Sequence, residues 1–208
     1  MLAFTQVCGV AAPFPQANVD TDVIMPKQFL KGITREGLAA GLFYDLRFDT
    51  AGQPRPQFIL NRQGYREARF LIVGANFGCG SSREHAVWGL RQWGIRALIG
   101  SSFASIFQDN CLRNGLLPVS LALPQVQFLQ DLCADPARST LRVDLAAQAI
   151  ECADGSRIEF DIDPLRKEDL LCGRDSIAAT LQWAADIGAF EERHWAAYPW
   201  LAPGVARA

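Results

Sequence analysis

The chain has 208 residues, half of them hydrophobic, with 20 basic and 22 acidic side chains and a net charge of −2. That balance offers no basic stripe to nucleic acid or to an anionic membrane, and no apolar run approaches the roughly 18 residues that span a bilayer. The length suits one domain with a sizeable core. Cysteines stand singly at 8, 79, 111, 133, 152 and 172, none of them in a C-x-x-C pair. No zinc or iron–sulfur site is therefore expected on this chain. The start, MLAFTQVCGVAAPF, lacks the charged segment of a secretory signal, so a cytoplasmic chain with reduced thiols is expected.

Leu2 to Ala11 reads as a first strand, ended by Pro13 and Pro15. In NVDTDVIMPKQFLKGITREGL, from Asn18 to Leu38, the side chains of Asn18, Asp20 and Asp22 favour turns. One reading is a tight polar loop that places Thr21, Lys27 and Lys31 near something acidic; the plainer one, which the residues favour, is a turn before a short helix starting near Pro26. Gly32 to Arg35, with Thr34 inside it, reads as a loop. Glu36 to Tyr44 reads as a short helix, and the two prolines between Asp49 and Gln57 as a surface loop.

The segment Phe70 to Trp93, FLIVGANFGCGSSREHAVWGLRQW, is the most informative. Phe70 to Val73 is long enough for a buried strand. Gly74, Gly78 and Gly80 then tolerate backbone shapes closed to other residues. Ala86, Val87, Leu90 and Trp93 share one helical face. Strand, glycine loop and helix together bring Ser81, Ser82 and Arg83 to a helix N-terminus. Ser81 and Glu84 have the spacing of a capping box, with Ser81 accepting from the Glu84 amide and Glu84 reaching back. Arg83 fits that reading badly, because the positive end of a helix disfavours a cation. Beside two hydroxyls and loop amides it makes an anion pocket suited to a carboxylate or phosphate.

Arg96 to Gly100 and Leu116 to Leu121 read as further strands. Between them Phe103 to Arg113 reads as a helix, turning Phe103, Ile106, Phe107 and Cys111 to a core. Two consecutive βαβ units imply a parallel sheet, with the glycine loop at the carboxyl end of a strand. Pro124 to Ala134 reads as a helix. Leu141 to Leu145, Ala149 to Cys152 and Arg157 to Ile162 read as short antiparallel strands, with Asp154-Gly155 a hairpin turn. Asp163 to Leu171 and Asp175 to Ala185 read as helices. A single domain over 1–195 is expected, with 196–208 a poorly ordered tail rich in proline.

NVDTD-x-I-x-P-K-Q-F-L, NFGCGSSREHA, SFASIF and N-x-LLPV, in that order, resemble the small subunit of 3-isopropylmalate dehydratase. GSSREHA is also shared with the swivelling C-terminal domain of aconitases. The resemblance runs from about Phe4 to Trp195. It implies an α/β fold, a swivelling β/β/α domain with a central parallel sheet, a smaller antiparallel sheet and a helical layer. It implies a hydro-lyase that moves a hydroxyl between adjacent carbons of a small hydroxy-diacid, 2-isopropylmalate becoming 3-isopropylmalate in leucine biosynthesis. It also implies a large-subunit partner, in a heterodimer or heterotetramer, that carries a [4Fe–4S] cluster.

By the same resemblance Ser81 matches the serine that removes the substrate proton, and Ser82 and Arg83 match residues that bind its carboxylate. Gly78, Gly80, Glu84, His85, Asp20, Thr21 and Asp22 surround them. Lys31, Thr34 and Arg35 fall in the loop that contacts the variable substituent. The pattern departs from its bacterial form at Ala75, usually Glu, and Val87, often Pro. The same chemistry on 2-methylmalate or citraconate, homoaconitate or maleate is the alternative. A stand-alone anion-binding module is a second, although Gly78-Cys79-Gly80 followed by Ser81-Ser82-Arg83 departs from G-x-G-x-x-G.

Overall fold

A computed structural model describes residues 1–30 and 36–202. Packing divides the chain into two compact units, Met1–Gly173 and Arg174–Ala208. The first contains β1 (Gln6–Phe14), α1 (Thr21–Ile24), α2 (Tyr44–Arg47), β2 (Phe70–Val73), α3 (His85–Trp93), β3 (Ala97–Gly100) and α4 (Ser105–Arg113). It continues with β4 (Leu117–Ser120), α5 (Leu123–Leu132), β5 (Thr140–Asp144), β6 (Ala149–Cys152), β7 (Arg157–Glu159) and α6 (Pro164–Cys172).

The strands form one ladder in the order β4-β3-β2-β1-β5-β6-β7. β1 to β4 run parallel, and β1, β5, β6 and β7 alternate in direction. The expected parallel and antiparallel sheets are therefore halves of one sheet that share β1. Gln6 to Val10 pair with β5, and Ala11 to Phe14 with β2.

The expected stop before Pro13 does not occur, and β1 runs to Phe14. The Ala11 amide donates to the Ser139 carbonyl at 2.8 Å, while the Phe14 carbonyl accepts from Gly74 on the other side. Odd-numbered amides thus look toward β5, which ends at Thr140 opposite Val10. Proline at 13 removes an N–H that no ladder would use. Pro118 is buried on edge strand β4, where the Leu117 and Leu121 amides donate toward β3 and its own nitrogen points away from that ladder.

The parallel strands are buried on both faces, which is why their apolar runs are continuous rather than alternating. Phe70, Ile72, Ala97 and Ile99 enter one core with Leu129 of α5 and Leu170 of α6. Leu71, Val73 and Leu98 enter the other with Val87, Leu90 and Phe107. Each such side chain contributes about 1.5–3 kcal/mol on burial. Ile106, expected to face a core with Phe107, is instead 56% exposed.

The short helix expected near Pro26 is a 3-10 turn, Lys27–Phe29, with Pro26 just before it. A further helical turn, α1, precedes it because the Asp20 carboxylate accepts from the Val23 amide at 2.7 Å. Glu36 to Tyr44 holds a single 3-10 turn, Leu38–Gly41, before α2. Phe43 at φ 49° breaks the helix. Buried Arg47 instead donates to the carbonyls of Ala39, Ala40 and Leu42.

The second unit holds α7 (Ser176–Leu181), α8 (Ala184–Ala197) and a 3-10 turn at Pro199–Leu201. Asp175 caps α7 by accepting from the Ile177 and Ala178 amides. This division differs from one domain ending at 195: α8 has no buried residue and continues past the expected start of the tail. Among the described residues no helix is long and apolar enough to cross a membrane.

Candidate active site

The loop after β2 is pinned from both sides. Toward Asn18–Thr21, the Asn18 amide donates to Ala75 O (2.8 Å), the Gly78 amide to Val19 O (2.8 Å) and the Thr21 amide to Cys79 O (2.9 Å). Toward Ser102–Ala104, the Phe77 amide donates to Ser102 O and the Ala104 amide to Phe77 O, and the Asn76 amide donates to Ser102 Oγ at 2.9 Å. Three segments that stand apart in sequence, NVDTD, NFGCGSS and SFAS, thus meet at the carboxyl edge of the parallel strands, where open α/β sheets place ligands.

Two glycines have steric reasons to be there. Gly78 has φ 78°, and a Cβ on it would lie 2.1 Å from the Phe107 ring. Gly80 has φ 95° with Asp20 and Thr21 alongside. Both allow the loop to lie against α4 and the α1 N-terminus.

Ser81 is exposed, and its Oγ lies 2.9 Å from Thr21 Oγ1. The Ser81 amide also donates to Thr21 Oγ1, at 3.2 Å. Thr21 is 1% exposed. Its oxygen accepts that backbone N–H, and its hydroxyl also reaches the Ser81 carbonyl at 3.4 Å, so in the Thr21–Ser81 hydroxyl pair either oxygen can be the donor. Arg83 pairs with Asp22, one residue on from Thr21. Ser82 is exposed, and its carbonyl accepts from Asn110 Nδ2 at 3.3 Å.

The capping box is not formed. α3 begins at His85 after Glu84, which has helical backbone and no side-chain cap. Ser81 is engaged by Thr21, sixty residues away in sequence. The Glu84 carboxylate accepts from Asn114 Nδ2 at 2.6 Å, and Asn114 Oδ1 accepts from Trp88 Nε1 at 3.1 Å. His85 packs on Trp88 with ring centroids 4.6 Å apart. Glu84 and Trp88 thus tie the start of α3 to the end of α4, and His85 packs within α3. Asn114 is a residue that sequence reasoning missed; it opens the N-x-LLPV motif, whose sequence gives it no role of its own.

Asp20 caps α1 and pairs its backbone with Cys79. Lys31, Thr34 and Arg35 lie outside the described residues. At the two departures, Ala75 uses its carbonyl to accept from Asn18, and Val87 is buried in the α3 core. A cleft of about 310 Å³ has Asp22, Lys27 and Asp45 in its wall. A larger cleft, about 460 Å³, lies by Phe14, Phe58 and Arg62 and includes none of the predicted residues.

Cys111, Cys133 and Cys152 are buried, while Cys8 and Cys172 are exposed. Burial pushes the Cys111 thiol well up and Cys133 to about 12, which keeps both protonated and inert. Among the described residues no group of three or more His, Cys, Asp or Glu could hold a metal ion. These residues do not fit a [4Fe–4S] cluster. What Ser81, Ser82 and Arg83 can do is grip a carboxylate and offer a hydroxyl to a proton beside it.

The family model for the aconitase C-terminal domain matches residues 1–124. The model for the C-terminal domain of the small subunit of 3-isopropylmalate dehydratase matches 176–204. The 3-isopropylmalate dehydratase small subunit 1 of Mannheimia succiniciproducens is 54% identical, over 95% of this chain and 98% of that one. Small subunit 2 of Salmonella typhimurium is 53% identical, over 97% and 96%. The crystal structure of 3-isopropylmalate dehydratase from Methanocaldococcus jannaschii superposes with a TM-score of 0.65 at 26% identity, over 88% of this chain and 99% of that one. The chain belongs to the 3-isopropylmalate dehydratase small-subunit family and carries the aconitase C-terminal fold.

Proposed function

We propose that the chain is the small subunit of a hydro-lyase that isomerises 2-isopropylmalate to 3-isopropylmalate in leucine biosynthesis. The observation that carries the reading is the Ser81-Ser82-Arg83 loop beside Thr21 and Asp22, in a chain about half identical to proteins of that name. A large partner subunit makes up the rest of the enzyme, as a heterodimer or heterotetramer, and holds the [4Fe–4S] cluster for which the described residues of this chain offer no ligand set. When bound, that cluster supplies a Lewis acid for the substrate hydroxyl. The unpaired thiols Cys8 and Cys172 are compatible with a reducing cytoplasm.

Ser81 takes the proton from the carbon next to a substrate carboxylate. A serine hydroxyl is a poor base, so its anion must be held by donors in place before reaction. The Thr21 hydroxyl, 2.9 Å away, is such a donor: an anionic Ser81 Oγ can only accept, so Thr21 then turns its O–H toward it. Arg83 and Ser82 bind the carboxylate into which charge flows as the C–H bond breaks. Arg83 is preferred to lysine there because its planar fork matches two carboxylate oxygens. Asp22 aims that fork and shares it with the incoming carboxylate. On rehydration the proton returns from Ser81 Oγ to the neighbouring carbon, after the alkene has been re-presented. Lys31, Thr34 and Arg35 are assigned to the substituent of the substrate.

Reconstitution with the large subunit tests this. Turnover of 2-isopropylmalate should exceed that of 2-methylmalate, homoaconitate and maleate, and the chain alone should be inactive. Fast turnover of citraconate with 2-isopropylmalate inert would move the reading to the related acid.

A further inference from the structure

One face of α8 has no covering among the described residues of its unit. Trp183, Ile187, Phe190, His194 and Tyr198 recur at helical spacing, so they line one side of the helix. Their rings are ordered as a ladder. Phe190 stacks on His194 (5.4 Å, 17°), His194 meets Tyr198 at 5.0 Å, and Tyr198 meets Trp200 at 5.7 Å. Yet Trp183 and Phe190 are each 58% exposed and Trp200 67%. The opposite side carries Ala185, Ala189, Glu192 and Ala196. An amphipathic helix of this kind is stable only when its apolar side is covered.

Contiguous exposed apolar side chains of this kind mark an interaction surface, and a stable complex buries roughly 800 Å² per partner. Pre-stacked rings lose little freedom on docking, which favours association.

The two family matches indicate the occupant. Residues 1–124 match a domain that in an aconitase is the C-terminal part of a longer chain, joined to the rest by peptide bonds. Residues 176–204 match a model specific to the separate small subunit, and the ring ladder lies within them. A chain that is not covalently joined to its partner needs a surface that holds it.

We infer that the Trp183–Tyr198 face of α8, extended by Trp200, is the surface by which this chain docks on the large subunit. The inference rests on the dehydratase reading above.

The test uses the full chain with the large subunit, measured by affinity and gel filtration. Phe190→Glu with Ile187→Glu should weaken the complex by roughly tenfold or more, as loss of a central aromatic anchor does. Trp200→Ser, outside the helix, should weaken it in the same direction. Glu192→Gln, on the opposite side, should not. The isolated variants should keep the parent's circular dichroism and melting midpoint. Unchanged affinity in Phe190→Glu/Ile187→Glu and in Trp200→Ser would overturn the proposal. So would a fall in the isolated chain's melting midpoint in both, which would show that the face packs on its own chain. A parent dimer that the variants dissociate would assign the face to a second copy. If the parent chain fails to bind the large subunit at all, the functional reading fails instead.

Discussion

The Thr21 and Ser81 hydroxyls lie 2.9 Å apart, and the Ser81 amide fixes the Thr21 oxygen from the other side at 3.2 Å. This pair connects a motif read as a turn to a motif read as a helix cap, and gives the exposed serine a buried hydroxyl partner.

Thr21→Val keeps the shape of a buried residue and removes the donor. It should lower kcat roughly a hundredfold, the scale of one lost oxyanion donor, with KM little changed. Thr21→Ser should restore most of the rate. Steady-state kinetics of the assembled enzyme checks this; equal kcat values in Val, Ser and parent forms would assign Thr21 to packing alone.

Arg83 and Asp22 are both partly exposed, so their ion pair should contribute at most about 1 kcal/mol to stability. Asp22→Asn should leave the melting midpoint within a degree or two, about what so small a change produces. Arg83→Lys should lower kcat/KM by roughly a hundredfold, since an ammonium cannot make the bidentate grip. A large melting shift in Asp22→Asn with normal turnover would make the pair structural.

Gly78→Ala places a methyl 2.1 Å from the Phe107 ring at φ 78°. Over-packing and left-handed backbone together should cost roughly 2–4 kcal/mol. Phe107→Leu in the same chain should recover part of the activity while adding its own loss of packing. Urea denaturation measures the first effect, and kinetics of the double variant the second.

The loop, its strand and its helix were legible because they rest on local chemistry: an apolar run, glycines, and Ala86, Val87 and Leu90 at helical spacing. The capping box was also local, and it failed because Thr21 and Asn114 compete for Ser81 and Glu84 from distant parts of the chain. The sharing of β1 between two pairing directions was hidden by Pro13, whose tolerance depends on where β5 ends. The chemical roles of Ser81, Ser82 and Arg83 came from the motif resemblance; composition and spacing reached only an anion pocket.

Burial raises the Cys133 thiol to about 12, with Cys152 adding to the rise. The unfolded chain releases that proton near the ordinary thiol value, about 8.5, while the folded chain keeps it. Between the two the unfolded state binds fewer protons, so stability falls as pH rises from about 9 toward 12. Below pH 8 this group should have no effect. Cys133→Ala should reduce the alkaline slope in urea titrations at pH 7, 9 and 10; an unchanged slope would assign it to other groups.

Ser81 as the base is the central claim, and turnover of 2-isopropylmalate by the complex carrying Ser81→Ala tests it most directly. Ser81 is exposed, so the variant should fold and assemble normally. Turnover should fall by roughly a thousandfold or more, with substrate still bound through Ser82 and Arg83. Turnover within about tenfold of the parent would contradict the assignment, because acid–base catalysis contributes more than that.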